Sequence, residues 1–264
     1  MNMFVVLACL ASFCLIPLAT GAEEEPVPER WIPLNADDPT IDIWKEPRDM
    51  SEDKRAPGPI NIQRFAGGSS KSGIPTFFHL PVALTPEDLV AGKVDVAIMG
   101  AAVDMGTGMR GAAYGPKRLR TAANYVGWGV FADPHMHTMV SWENALTVVD
   151  YGDAPVDYLS TERSMEPIRA MVREIAATGA IPVVIGGDHS LEYPNVAGIA
   201  DVHGKTKVGV IHFDAHYDAG GIGFGHLISH GQPIRRLVDE AHILGKNYIQ
   251  VGLRGYCPDE AGFE

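Results

Sequence analysis

The run Val208-Gly209-Val210-Ile211-His212-Phe213-Asp214-Ala215-His216-Tyr217-Asp218 joins an apolar segment to three metal-grade side chains at alternate positions. Along an extended backbone, alternate residues point to one side. Asp214, His216 and Asp218 can therefore converge on one point. On a helix, a two-residue step turns the side chain by about 200° and would scatter them. A second fragment of the same kind lies upstream, where Ile181-Pro182-Val183-Val184-Ile185 leads into Gly186-Gly187-Asp188-His189-Ser190. Two strand ends that carry Asp and His in one domain point to a shared metal site.

Working outward from these fragments, strand and helix patterns alternate. Strands are expected at 94–100, 145–150, 181–185, 207–213 and 248–253, and helices at 115–126, 161–177, 190–199 and 232–241. Short Gly-containing links separate them. This is the signature of an α/β fold, a mostly parallel sheet with helices on both faces. In such folds ligands bind at the carboxyl ends of the strands, and both Asp/His fragments occupy that position.

The chain of 264 residues is 46% hydrophobic, ample for a core, and carries a formal net charge of −12. An acidic surface argues against nucleic acid as a partner, because the usual footprint there is a basic patch. Residues 1–22 read as a secretory signal peptide: an almost wholly apolar run from Phe4 to Leu18, small residues to Ala22, then Glu23-Glu24-Glu25. Export to the periplasm or medium is expected. The run falls short of the roughly 20 residues a membrane span needs, which disfavours an uncleaved anchor. Cys9 and Cys14 lie inside this leader, so Cys257 is the one cysteine after it. No disulfide within the mature chain and no thiolate cluster can then form. Residues 23–90 are rich in proline and charge and read as an N-terminal arm and entry segment. The stretch 67–73 is a Gly/Ser loop without the Gly-Lys-Ser/Thr ending of a phosphate cradle.

Carboxylates with imidazole and no thiolate suit a divalent ion of intermediate hardness such as Mn²⁺. His189, Asp214, His216 and Asp218 can complete one tetrahedral site. A carboxylate such as Asp214 can instead bridge two ions about 3.5–4 Å apart. Asp188 reads as a helix cap rather than a ligand. His212 shares the strand parity of Asp214 but lies inside the strand, which favours a hydrogen-bonded core histidine.

Taken together, Gly-Gly-Asp-His-Ser (186–190) and Phe-Asp-Ala-His-Tyr-Asp (213–218) resemble the ureohydrolases, the arginase and agmatinase family. Further matching segments are 100–106 with 114–120, Ser229-His230-Gly231-Gln232-Pro233, Gln250 to Gly255, and Arg64 to Gly67 with Gly73 to Phe77. The resemblance implies a three-layer α/β/α fold and two Mn²⁺ ions bridged by a hydroxide that attacks a guanidinium carbon. It implies that His189 binds the first ion and His216 the second, that Asp214 bridges them and that Asp218 holds the first. His230 matches the family's proton-shuttling histidine, and histidine is the usual proton carrier near neutral pH. His226 is the nearby alternative. The implied reaction is hydrolysis of a small cationic guanidino substrate, with agmatine to putrescine and urea foremost and guanidinobutyrate as an alternative, in a homo-oligomer. The ureohydrolase domain is expected over 91–264 and to be C-terminally incomplete. The family's Asp-x-Asp motif and guanidinium-gripping glutamate are expected beyond Glu264. The competing reading is a catalytically incomplete relative acting as a binding or assembly subunit.

Overall fold

The computed structural model describes residues 7–9, 37–46, 55–62, 73–122 and 145–255. Most of the expected leader, much of the proline-rich arm, the loop at 67–72, the end of the expected helix at 115–126 and Cys257 lie outside the described residues. In chain order the strands are β1 (Leu7–Cys9), β2 (Val96–Gly100), β3 (Val148–Asp153), β4 (Ile181–Ile185), β5 (Val210–Phe213) and β6 (Tyr248–Val251). The helices are α1 (Pro86–Ala91), α2 (Gly115–Ala122), α3 (Thr161–Ala177), α4 (Glu192–His203) and α5 (Pro233–Asp239). The chain divides into two compact units, Arg48–Asp188 and Met1–Pro47 with His189–Glu264.

In the unit spanning Arg48–Asp188, three parallel strands pair in the order β3-β2-β4. Central β2 is apolar and buried on both faces at Ala97, Ile98 and Met99, as a strand flanked by two neighbours and covered by other elements requires. Helix α3 starts where the Ser160 hydroxyl accepts from Arg163 N, an N-cap. Its apolar stripe of Met165, Ile168, Val172, Ile175 and Ala176 is buried at near-3.6 spacing, and the helix packs on β4. Helix α2 begins at Gly115, where a Cβ would stand only 2.3 Å from Gly186 O. Glycine is therefore needed for this close approach to the end of β4. At the other end of α2, Arg120 grips both oxygens of buried Asp150 at 2.7 and 2.9 Å and stacks 4.0 Å over Phe77.

The second unit holds another three-stranded parallel sheet in the order β1-β5-β6. The register pairs Val210 with Tyr248 and His212 with Gln250. These alternate positions of β5 and β6 are the more buried ones, while Ile249 and Val251 are exposed. Helices α4 and α5 pack on each other, and Val196, Ala197, Ala200, Ile234 and Leu237 of these helices are buried.

Helix α3 and strand β4 occupy their expected spans. Helix α4 starts later than expected because His189–Leu191 form a 3₁₀ turn first. Strand β5 starts later because Lys207 N bonds back to Gly204 O in a turn. Among the described residues, the expected parallel pairing appears as two three-stranded parallel sheets, one in each unit. Among the described residues, no helix is long and apolar enough to cross a membrane.

Candidate metal centre

The side chains of His189, His212, Asp214 and Asp218 meet in the unit that contains β5 and β6. One donor atom from each lies within 4.8 Å of every other. His189 comes from the 3₁₀ turn before α4, His212 from β5, and the two aspartates from the loop after β5. His189 Nδ1 stands 3.8 Å from Asp214 Oδ2, and its Nε2 stands 3.5 Å from Asp218 Oδ2. The rings of His189 and His212 stack at 4.9 Å, with their Nε2 atoms 3.1 Å apart.

Backbone contacts hold the aspartate loop in place. Asp214 Oδ1 accepts from His216 N at 3.0 Å, a local turn typical of aspartate. Ala215 O accepts from Arg254 N at 3.2 Å and Gly255 N at 2.7 Å. A Cβ on Gly255 would come within 2.6 Å of that same oxygen, so this clamp depends on glycine. Asp218 takes a left-handed backbone with φ of 44°, which aspartate tolerates better than most residues, and its carbonyl accepts from Ile234 N at 3.2 Å.

The electrostatics match a site built for a cation. Burial pushes the Asp218 carboxyl up to about 6, and nearby Asp214 adds to this against the opposing pull of His189. Burial also pushes Asp214 up, but the His216 N–H and the His189 imidazole outweigh it and hold the group below its ordinary value. Burial pulls His189 down, yet the Glu192 carboxylate, helped by Asp218 and Asp214, raises it overall. Burial lowers His212. Two carboxylates crowded with imidazoles and shifted in opposite directions mark a functional site more often than a structural one.

Oxygen and imidazole donors without thiolate fit a divalent ion of the Mn²⁺ kind. The donor set is not uniform, however. The Gln250 side-chain amide donates to Tyr217 O at 3.0 Å and meets His212 Nδ1 at 3.2 Å. His212 Nδ1 is therefore an acceptor, and its hydrogen sits on Nε2. The nitrogen nearest the cluster is a donor rather than a lone pair, which agrees with a hydrogen-bonded core histidine. His189, Asp214 and Asp218 remain as candidate ligands.

The sequence model of the arginase family matches residues 94–264, well over half of the chain. The chain belongs to the arginase family. Among curated proteins it is similar to the mitochondrial agmatinase of Gallus gallus, at 35% identity over 190 residues, 71% of this chain and 52% of that protein. It is equally similar to the mitochondrial guanidino acid hydrolase of Homo sapiens, at 35% identity over 69% of this chain and 49% of that protein. The guanidinopropionase of Pseudomonas aeruginosa is 32% identical over 81% of this chain and 63% of its own length. Among solved structures, a hypothetical agmatinase from Burkholderia thailandensis matches with a TM-score of 0.63 at 28% identity, covering 80% of this chain and 65% of that one. The arginase-type three-layer α/β/α class is thus shared. The chain spans about half the length of the first two curated relatives.

Of the expected site residues of this arginase-family chain, His189, Asp214 and Asp218 come together. His216 does not join the group: its side chain is 68% exposed, with Nδ1 3.3 Å from Asp214 Oδ1. Strand β5 ends at Phe213, so the side-to-side alternation does not continue through His216. His230 is exposed on the loop before α5, as is His226. Asp188 accepts from Gly106 N at 2.7 Å, tying the loop after β2 to the end of β4. Sequence reading missed Glu192, Tyr248 and Gln250. The available signals were the three-residue step from His189 to Glu192 on a helix start, and the shared parity of Tyr248 and Gln250 on β6.

Proposed function

We propose that this chain serves in the metal-dependent hydrolysis of a guanidino compound, with agmatine the foremost substrate. The observation that carries the reading is the convergence of His189, Asp214 and Asp218 within a segment matched by the arginase family. The geometry around Asp214 adds support. Its Oδ2 faces His189 and its Oδ1 faces His216, so one carboxylate serves two imidazoles on opposite sides. His189, Asp214 and Asp218 would hold one divalent ion, and Asp214 with His216 would contribute to a second. A bound ion of this kind supplies Lewis acidity and a deprotonated water near neutral pH.

The chain's own groups account for the rest. The carboxylates of Asp214 and Asp218 offset cationic charge in a partly buried setting. Exposed His230, on the loop that Gly220 N ties to Gly231 O at 2.8 Å, is positioned to exchange protons with solvent and a leaving amine. Relatives named for guanidino acids and guanidinopropionate make these the substrates to compare with agmatine. The test is urea release from agmatine, 4-guanidinobutyrate and 3-guanidinopropionate by the Mn²⁺-loaded full protein, carrying the Asp-x-Asp motif and glutamate expected beyond Glu264. Release from agmatine at the highest kcat/KM supports the reading, faster turnover of a guanidino acid reassigns the substrate, and no urea from any of them refutes the hydrolase. Asp214→Asn is expected to abolish Mn²⁺ uptake, whereas His230→Asn should retain the metal and slow turnover by about 10²–10⁴-fold. Equal metal content in the two variants would contradict the bridging role.

A further inference from the structure

We infer that Glu192 is a positioning residue: its carboxylate fixes the hydrogen of His189 on Nε2 and so presents Nδ1 as the nitrogen that binds metal. The inference rests on the metal site proposed above. Glu192 opens α4 and is buried, and its Oε2 lies 2.9 Å from His189 Nε2. Its other oxygen, Oε1, accepts the Tyr248 hydroxyl of β6. A carboxylate held at one oxygen by Tyr248 has little freedom to turn away from the imidazole. Neither Glu192 nor Tyr248 belongs to the His189, His212, Asp214 and Asp218 group that could hold an ion.

The nitrogens of His189 are under opposing demands. His212 Nε2, which carries the hydrogen, stands 3.1 Å from His189 Nε2 and would have that nitrogen accept. Glu192 would have it donate. A neutral imidazole that binds a metal through one nitrogen carries its hydrogen on the other. His189 Nδ1, 3.8 Å from Asp214 Oδ2, lies on the side where Asp214 would bridge. Ligation through Nδ1 therefore decides the contest for Glu192, and Glu192 in turn favours ligation through Nδ1. The 3₁₀ turn at His189–Leu191, leading directly into α4, sets the three-residue step that brings ligand and carboxylate together. His212 is left to direct its hydrogen toward Asp214 Oδ2 at 3.7 Å and Glu192 Oε2 at 3.8 Å.

The test uses the full chain and two readouts. Mn²⁺ affinity is measured from the electron paramagnetic resonance signal of the free ion. The His189 tautomer is read from the ¹⁵N imidazole shifts of the Zn²⁺-loaded protein, zinc serving as a diamagnetic probe. Glu192→Gln should raise the Mn²⁺ Kd roughly tenfold and Glu192→Ala toward 100-fold, the range seen when a partner behind a ligand is lost. Tyr248→Phe should fall between wild type and Glu192→Gln, and it keeps the test available where Glu192→Ala fails to fold. In a His189→Ala background the effect of Glu192→Gln should vanish, which a general structural role would not produce. Wild-type protein that takes up metal with His189 bound through Nε2, or a Glu192→Gln variant with unchanged affinity, overturns the inference and leaves the metal site standing. Wild-type protein that takes up neither ion overturns both.

Discussion

At the residue scale, the raised carboxyl of Asp218 and the lowered carboxyl of Asp214 would make the proposed metal binding pH-dependent in a defined direction. Asp218 titrates near 6 in the metal-free protein, above the roughly 3.9 of an unfolded aspartate. The folded state thus holds this proton more tightly than the unfolded one. The contribution of Asp218 to metal-free stability is fully present below about pH 4 and is lost as pH rises through about 6. Metal must displace the same proton, so Mn²⁺ affinity should weaken by up to tenfold for each pH unit below about 6. Titrations between pH 5 and 8 would check this, and a flat profile would mean that Asp218 is not a ligand. That His189, Asp214 and Asp218 could come together was legible, because both fragments that hold them follow apolar strand-like runs. The exposure of His216 was not legible, because it depends on β5 stopping at Phe213.

At the element scale, the loop that follows β5 is shaped by contacts far away in sequence. Gly255→Ala would push a methyl group within 2.6 Å of Ala215 O and break the two backbone bonds that clamp the loop. Its expected effect is a loss of Mn²⁺ affinity with only a small change in melting temperature. A variant with unchanged affinity would show the clamp to be dispensable. Helix α3 offers a contrasting case. Ser160→Ala removes its N-cap and should lower stability by about 1 kcal/mol in urea unfolding without touching metal binding. Periodicity gave the bounds of α3 because one apolar stripe faces its sheet. It was less informative for α4, which is buried nearly all round and starts only after a 3₁₀ turn.

At the scale of the whole molecule, every member of the candidate metal centre lies in the unit formed by Met1–Pro47 and His189–Glu264. Ligand binding stabilises what it touches, by about 2.7 kcal/mol when free ion is 100 times its Kd. Mn²⁺ should therefore slow amide exchange in peptides from 189–218 and 248–255 far more than in β2, β3 and α3. Equal protection of both units would argue against a centre contained in one of them. Net charge of −12 would favour long-range attraction of the cationic substrate proposed above, and such steering would weaken with salt.

The sequence by itself determined the α/β class and the places where strands end in Asp and His. Those properties follow from local period and composition, which each segment carries within itself. Only the tertiary structure decided that Glu192 stands behind His189 with Tyr248 holding it, that Gln250 puts the hydrogen of His212 on Nε2, and that His216 faces solvent. The Tyr248–Glu192 and Gln250–His212 contacts span 56 and 38 residues of chain, and the exposure of His216 depends on where a strand stops. Hydrogen bonds at that range fix proton positions, and no local pattern encodes them.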